Sequence, residues 1–203
     1  MALPGPAERR TATCARNLAE AWGLSALLLI QHARSGARFA DGELVLLRDQ
    51  DRRRWDTAAI SEGERLLERA AALRRAGPYQ LQAAIAAVHA TGPSWADTDW
   101  LQISLLYQEL ARHDRSPVIR LNQAIADAHV VGPADALTRL EALAEPLAGY
   151  HLFHAARAEL LTQLGRDDEA DAANRRALSL TTNDAERRLL TTRLHRRPLD
   201  DGS

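Results

Sequence analysis

The feature that most constrains the fold is the way glycine and proline punctuate the chain. Between about residues 15 and 194 these two residue types are scarce except at regular intervals, and Ala, Leu, Arg, Gln and Glu fill the stretches between them. These five residue types are strong helix formers, whereas Gly and Pro mark helix ends. The pattern therefore predicts an all-α fold.

From Gly77 onward the helices recur in pairs with a period of roughly 34 residues, which is typical of tetratricopeptide hairpins. In the last pair Gly165 permits a tight turn, and the small Ala158 and Ala170 allow close helix approach. In the middle pair Pro133 follows Gly132 as a natural first helical residue. We therefore predict stacked antiparallel helical hairpins, a tetratricopeptide-like α-solenoid. The positions that carry this repeat are Leu121, Ala124, Ile125, Ala136, Leu140, Leu143, Leu161, Ala177, Leu178 and Leu180.

Ahead of the repeat, residues 1–76 form an irregular helical N-terminal section. We predict one helix from Arg16 to Arg34 and a second from Thr57 to Arg75, separated by an irregular segment at 36–55 in which Leu44–Leu47 form a short strand or a buried loop. The hairpins occupy 77–197, including a capping helix that opens at Asn183, and 198–203 form a disordered tail. The apolar stripe of the first helix contains Leu18, Ala21, Trp22, Ser25, Leu28, Leu29 and His32, and that of the second contains Ile60, Gly63, Leu67, Ala70 and Ala71.

Charge and cysteine content exclude several functional classes. All 26 basic residues are Arg, 27 acidic residues offset them, and the formal net charge is -1. A nucleic-acid-binding surface needs an excess of positive charge, so we expect no direct nucleic-acid binding by this chain. The single Cys14 cannot form an intramolecular disulfide, which favours a cytoplasmic location, and the longest apolar run is too short to span a membrane.

The histidines do not form a metal or catalytic motif. His151 and His154 lie three residues apart, yet no acidic or thiol partner stands at ligand spacing, so packing or surface placement is the better interpretation. The chain also lacks a Gly-rich phosphate loop and a nucleophile elbow, and Cys14 is a poor nucleophile candidate. We predict no catalytic residues, no metal, no cofactor and no enzyme activity.

The better candidates are surface residues for partner binding. Tyr79, Gln82, Ala86 and His89 share one face of a helix, which in such repeats lines the concave groove, unless they simply pack against the 57–75 helix. The middle repeat offers Ile119, Asn122, Ala126 and His129 by the same alignment, and the last offers Leu152, Ala155, Glu159 and Thr162. Trp55, Trp95 and Trp100 stand beside Asp residues, where they either anchor layers or contact a partner. The predicted partner-binding residues are Tyr79, Gln82, His89, Trp95, Trp100, Asn122 and His129.

Several longer motifs are more specific than a helical repeat. They are DGELVLLRDQDRRRWD at 41–56, GPYQLQAAIAAVHA at 77–90, DTDW at 97–100, SPVIRLNQAIA at 116–126 and GYHLFHAAR at 149–157. Together they resemble the C-terminal extension of one group of extracytoplasmic-function (ECF) RNA polymerase sigma factors. The resemblance implies a helical, tetratricopeptide-containing domain that follows the sigma region 2 and region 4 modules and tunes sigma activity. It also implies a small YCII-like protein as a possible further partner.

The chain contains no counterpart of region 2 or region 4, so we expect it to be a truncated extension or a stand-alone relative that does not recruit polymerase by itself. A second departure is Asn174, where the repeat usually places a large aromatic residue. The predicted function is transcription regulation by contact with the sigma modules or RNA polymerase. Two alternatives stay open: a small-molecule sensor whose pocket lies between the Tyr79/Gln82/His89 face and the 91–99 connector, and a scaffold unrelated to transcription.

Overall fold

A computed structural model describes residues 6–195, with side chains from residue 13 onward. Within this range the chain forms nine α-helices and a single two-stranded hairpin, which confirms the all-α prediction. The tail predicted at 198–203 lies outside the described residues. The helices are α1 (Pro6–Ala33), α2 (Thr57–Ala72), α3 (Pro78–Thr91), α4 (Trp100–His113), α5 (Pro117–Asp127), α6 (Pro133–Glu141), α7 (His151–Gln163), α8 (Asp167–Leu180) and α9 (Asp184–His195); the strands are β1 (Phe39–Ala40) and β2 (Glu43–Leu44).

The described chain divides into two compact units. Unit 1 contains residues 6–38 and 46–115, and unit 2 contains residues 39–45 and 116–195. This division differs from the predicted boundary at residue 77, because α3 and α4 belong with α1 and α2. The reason is the direct packing of α3 against α1.

In unit 1, α1 packs through its smallest residues. Ala19, Gly23 and Ala26 are buried along one face, continued by Ile30 and Ala33. A Cβ atom on Gly23 would lie 2.7 Å from the backbone nitrogen of Gln80. Such close approach is available only to small side chains, so the small-residue face of α1 is the buried one.

The apolar stripe predicted for the first helix is therefore wrong. Leu18, Ala21, Ser25, Leu28 and His32 are exposed, whereas Trp22 and Leu29 are half-buried. Hydrophobic periodicity predicts that the face of α1 with the largest apolar side chains is buried. In the structure the face with the smallest side chains is buried, because the helix axes lie close together.

The helix boundaries of unit 1 also differ from the predicted ones. α1 begins at Pro6, ten residues before the predicted start, because the added turns consist largely of Ala, Glu and Arg and Pro suits a first turn. α2 ends at Ala72, and Arg74 takes a positive φ of 50° just beyond it. Of the predicted inward residues of α2, Ile60, Gly63 and Ala70 are buried, Leu67 is half-buried and Ala71 is exposed.

The irregular segment between α1 and α2 contains three short 3-10 helices, at Ser35–Ala37, Leu47–Asp49 and Arg52–Arg54. Between the first two, β1 pairs antiparallel with β2. Asp41 and Gly42 connect the strands with φ of 51° and 80°, as a type I′ turn requires. The run predicted as either strand or buried loop is thus divided, with Leu44 in β2 and Leu47 opening a 3-10 helix.

In unit 2, large apolar side chains fill a contiguous core. Most residues predicted from the repeat lie in or against it. Gly132 and Gly165 take positive φ of 92° and 69° in the turns before α6 and α8, as the turn prediction requires. The core contains Leu121, Ala124, Ala136, Leu137, Leu140, Leu143, Leu147, Phe153, Ala158, Leu160, Leu161, Ala170 and Ala173.

The end of unit 2 combines a helix cap with the β-hairpin. Asn183 Oδ1 accepts hydrogen bonds from the backbone N–H groups of Ala185 and Glu186, at 2.9 and 3.2 Å, so it caps α9 as predicted. The hairpin is joined to α9 by Arg188, whose Nε lies 3.0 Å from a Glu43 carboxylate oxygen. Asn174 is buried in α8, and its Oδ1 has no donor among the described residues.

Candidate interaction sites

The seven predicted partner-binding residues fall into both units. Tyr79, Gln82 and His89 lie on α3 in unit 1, with Trp95 in the connector after it and Trp100 at the start of α4. Asn122 and His129 belong to unit 2, on α5 and just after it. Tyr79 is exposed at the beginning of α3, ten residues or about 15 Å from His89.

The structure brings three of these residues together. The His89 and Trp95 rings are nearly parallel, with centroids 6.0 Å apart. Trp100 meets both rings edge-on, at 5.3 Å from His89 and 4.5 Å from Trp95. All three side chains are half-buried. Aromatic pairs in these geometries stabilise one another beyond simple burial, so this aromatic cluster holds the 92–99 connector against α3.

Arg52, which is not among the predicted partner-binding residues, connects the irregular segment to this cluster. Its Nη1 donates to the backbone oxygens of His89, at 2.7 Å, and Gly92. Its guanidinium carbon lies 4.8 Å from the centroid of the Trp55 ring. A cation at the carbonyl end of a helix is favourable, because the end of the helix carries partial negative charge. The 36–55 segment therefore supplies the C-terminal cap of α3.

Trp55 is buried and has a second cation beside its ring. It is 5% exposed, and the guanidinium carbon of Arg34 lies 6.0 Å from its ring centroid. Arg34 is itself buried and follows the last residue of α1. Burial, with smaller contributions from the charges of Arg38 and Arg52, lowers the pKa of Arg34 to about 10. This position of Trp55 agrees with the prediction that such residues anchor layers.

At the other end of α3, Glu20 of α1 accepts the first backbone N–H groups. One carboxylate oxygen lies 3.1 Å from the Tyr79 nitrogen and the other lies 3.5 Å from the Gln80 nitrogen. Gln80 Nε2 donates to the Arg75 carbonyl at 2.7 Å, which explains why this polar residue is buried. Tyr79 thus contacts α1 through its backbone nitrogen, while α3 as a whole packs against both α1 and α2.

The face predicted to line a groove is only partly accessible. Ala86 on α3 and the equivalent Ala126 on α5 are buried, which corrects their assignment to the groove. Gln82 and Asn122 are half-buried beside them. α3 packs against α1, α2 and α4, so the face of α3 that was predicted to line the groove is not a continuous open surface.

In unit 2, His129 lies near the Glu159 carboxylate of α7. Burial lowers the pKa of His129 below its ordinary value of 6.5, and the negative charge of Glu159 opposes part of that shift. Glu159 also pairs with Arg193 of α9, whose Nη2 lies 3.5 Å away. His129 just after α5, Glu159 of α7 and Arg193 of α9 thus form a polar cluster in unit 2.

His151 and His154 each have a protein partner. His151 Nε2 lies 2.8 Å from Glu186, and that carboxylate also accepts the Thr181 hydroxyl hydrogen at 2.6 Å. His154 Nε2 lies 2.9 Å from the Ala148 carbonyl oxygen. The Glu186 carboxylate therefore has two side-chain partners, His151 and Thr181. Over the described residues, no three His, Cys, Asp or Glu side chains converge as metal ligands would.

Large apolar side chains remain exposed in unit 1. On α1, Leu18 is 43% and Leu28 is 60% exposed, and both lie on the face opposite the small-residue stripe. On α4, Leu101 and Leu105 are also exposed. Between residues 6 and 195, no helix is both long and apolar enough to cross a membrane. We call the exposed face of α1 around Leu18, Ala21, Ser25 and Leu28 the α1 outer face.

Comparison with known proteins adds a family match for part of the chain. Residues 7–71 match the model of a family of unknown function, DUF6596. The chain is also similar to the uncharacterized protein R00370 of Rhizobium meliloti (strain 1021), at 51% identity over 168 residues, which is 82% of this chain and 40% of that protein. The chain thus spans about two fifths of this relative. No solved structure matches it.

Proposed function

We propose that this chain regulates transcription through protein contacts, as the regulatory C-terminal domain of an ECF-type RNA polymerase sigma factor. The long motifs at 41–56, 77–90 and 149–157 support this proposal through their resemblance to such extensions. In the same proposal the helix pairs form a tetratricopeptide-like stack, the cell compartment is the cytoplasm, and the partners are the region 2 and region 4 modules or RNA polymerase. A small YCII-like protein is a further candidate partner.

The length of the R. meliloti relative is consistent with a regulatory role inside a larger protein. About three fifths of that relative lie outside the part that matches this chain. A domain that works within a longer polypeptide needs a surface for the rest of that polypeptide. We infer that the remaining part includes the sigma modules.

The observation that carries the proposal is the α1 outer face. Leu18 and Leu28 stand two to three turns apart on one side of α1, and that side also carries Ala21 and Ser25. Burying a leucine side chain fully contributes about 1.5–3 kcal/mol, so a few such residues can hold a partner helix in a groove or along a face. We propose the region 2 or region 4 module as the occupant of this face.

Titration calorimetry of the chain against isolated region 2 and region 4 modules tests this proposal. We expect association with at least one module, and we expect Leu28→Asp to weaken it by about tenfold or more because a carboxylate would be desolvated in the interface. Leu105→Asp is the matched control, since Leu105 is 54% exposed on α4 in the same unit.

Absence of association with either module would count against the function itself. Association that Leu28→Asp and Leu105→Asp weaken equally would leave the function standing and reject the α1 outer face as the contact surface.

The second candidate function is small-molecule sensing, and the aromatic cluster of His89, Trp95 and Trp100 favours it. Half-buried rings within and beside a connector are suited to stacking on a planar ligand. Crystals of the protein purified from its own cells would test it. Ligand density against these rings would support sensing, and rings in van der Waals contact only with protein would oppose it.

A further inference from the structure

Three arginines of unit 1 form a cationic cluster, in which Arg34 and Arg52 lie beside the Trp55 ring and Arg38 shares an acceptor with Arg34. Arg34 and Arg38 follow the end of α1, and both donate to the same acceptor, Gln31 Oε1; for Arg38 the distance is 3.3 Å. Arg38 donates also to the Gln31 carbonyl, at 3.0 Å. Arg52 approaches Trp55 from the 3-10 helix at Arg52–Arg54. The cluster therefore contains two positive charges within 6.0 Å of the centroid of one ring and a third that shares an acceptor with Arg34.

The acceptors of these guanidinium groups are neutral. They are the Gln31 side chain and backbone oxygens and the carbonyls of His89 and Gly92. Among the described side chains, no carboxylate accepts a hydrogen bond from these three arginines. Asp97 is the acidic group that acts on Arg52 through its charge. The cluster thus carries an excess of two positive charges.

Neighbouring acidic residues are engaged elsewhere. Asp51 pairs with Arg53 at 3.0 Å, and Asp49 pairs with Arg48 at 3.7 Å. Asp56 caps α2 by accepting the Ala59 N–H at 3.0 Å. These contacts leave the excess charge of the cluster in place.

The cluster also contains three buried N–H donors that have no acceptor in the described structure. They are Nε of Arg34, Nη2 of Arg52 and Nε1 of Trp55. Arg34 is 9% exposed and Trp55 is 5% exposed, so these two side chains are more than nine-tenths buried. Buried donors are nearly always paired in native proteins, and an unpaired group points to a bound water or ion. Three such donors beside an excess of positive charge point to an anion.

We propose that Arg34, Arg38, Arg52 and Trp55 form a binding site for a phosphate group. A phosphate supplies several acceptor oxygens and close to two negative charges, which match the donors and the charge excess. Because the site is largely buried, it accepts the terminal phosphate of a small molecule and excludes the backbone of a nucleic-acid duplex. Arg38 is exposed and forms the entrance. This inference is independent of the proposed sigma-factor role.

Thermal unfolding of the full chain in inorganic phosphate, at constant ionic strength and pH 7.5, tests the site. We expect a saturable rise of the midpoint, about 5 °C at a hundredfold excess over Kd, that acetate and chloride do not reproduce. A rise of equal size in all three salts would overturn the proposal, as would the absence of any rise.

Two substitutions locate the effect. Arg38→Gln should weaken phosphate binding in calorimetry by about tenfold while the midpoint without phosphate stays near that of the parent chain, because Arg38 is exposed. Arg54→Gln is the matched control, as Arg54 is an exposed arginine of the same segment outside the cluster. Equal weakening by both substitutions would overturn the site.

Two further measurements test the contribution of the Trp55 N–H donor and the kind of phosphate compound that binds. Trp55→Phe keeps a ring but removes Nε1, and we expect it to lower the affinity for phosphate in calorimetry. A short duplex DNA should neither raise the midpoint nor compete with phosphate, and competition by the duplex that Arg38→Gln abolishes would overturn the assignment to a small phosphate ligand.

Discussion

The two units bury their cores by opposite means. In unit 2, Leu140 and Leu161 are fully buried and interlock with alanines of neighbouring helices. In unit 1, α1 meets α2 and α3 through Gly23 and Ala26, and the helix ends are fixed by charged groups such as Arg52. One unit relies on apolar volume, whereas the other relies on close backbone approach and on hydrogen bonds at helix ends.

The difference shows how a helix can be firmly packed and still expose leucines. When the smallest residues form the contact, large apolar residues on the other faces of the helix stay exposed. Leu18 and Leu28 are in this position. In unit 2 the large apolar residues lie in the core. The helices of unit 2 therefore expose few leucines, and Leu152 is an exception.

The largest expected effect comes from removing volume in unit 2. Leu161→Ala should destabilise the protein by about 4 kcal/mol, because the substitution loses buried apolar contact and leaves a cavity. The free energy of unfolding in urea measures the effect, and hydrogen exchange should accelerate in α7 and α8. Leu152→Ala, on the exposed side of the same helix, should cost less than about 1 kcal/mol. Similar losses for both would contradict a core filled by volume.

Adding volume should be the damaging change in unit 1. Gly23→Ala places a Cβ 2.7 Å from the Gln80 nitrogen and 2.9 Å from its Cα, and backbone atoms cannot move aside cheaply. We expect a loss of about 2–3 kcal/mol in the same measurement. Gly36→Ala is the control, because its Cβ would meet its nearest neighbour, the Arg54 carbonyl oxygen, at an ordinary 3.8 Å. A stabilising Gly23→Ala would mean that α1 and α3 do not approach this closely.

A smaller loss should follow from removing a helix-end contact of unit 1. Arg52→Gln deletes the hydrogen bonds to His89 and Gly92 and the cation–π contact with Trp55, so we expect about 1–2 kcal/mol. Hydrogen exchange in the last turn of α3 should report the change locally. Arg54→Gln should leave both quantities nearly unchanged, and an equal effect of the two would reject Arg52 as the cap.

The smallest effect concerns pH and unit 2. Because the pKa of His129 is lowered in the folded state, the unfolded chain takes up this proton first as the pH falls below about 6.5. Unit 2 should therefore lose stability on acidification through this range. His129→Gln should flatten that part of the stability profile between pH 7.5 and 5.5. His32→Gln, which removes an exposed histidine of unit 1, is the control, and equal flattening of the profile by it would show that His129 is not the cause.

The sequence alone was sufficient for most of unit 2. Glycine turns, helix spacing and leucine periodicity act locally, so Gly132, Gly165 and the buried Leu140 could be predicted from short windows. The face of α1 could not be predicted that way, because the choice between Gly23 and Leu28 depends on which helix packs against it. That partner, α3, lies more than fifty residues away in the chain.

The same distinction between contacts close in sequence and contacts far apart in sequence applies to the candidate sites. Trp95, Trp100 and His89 were identifiable because they are close in sequence and carry rings, although their mutual stacking was not. The helix-end contacts of Arg52 and Glu20 were missed, since their acceptor and donor groups lie 37 and 59 residues away. Only the prominence of the Arg-Trp-Asp motif at 54–56 could have drawn attention to that region.

The position of the β-hairpin sets a rule for dissecting this protein. Residues 39–45 belong to unit 2 although the chain on both sides of them belongs to unit 1. Dividing the chain after residue 115 would therefore separate Arg188 from its partners Glu43 and Gly42. The N-terminal fragment would carry residues 39–45 without the helix that they contact. Anyone wishing to study either half in isolation should graft or delete those seven residues rather than simply truncate the gene.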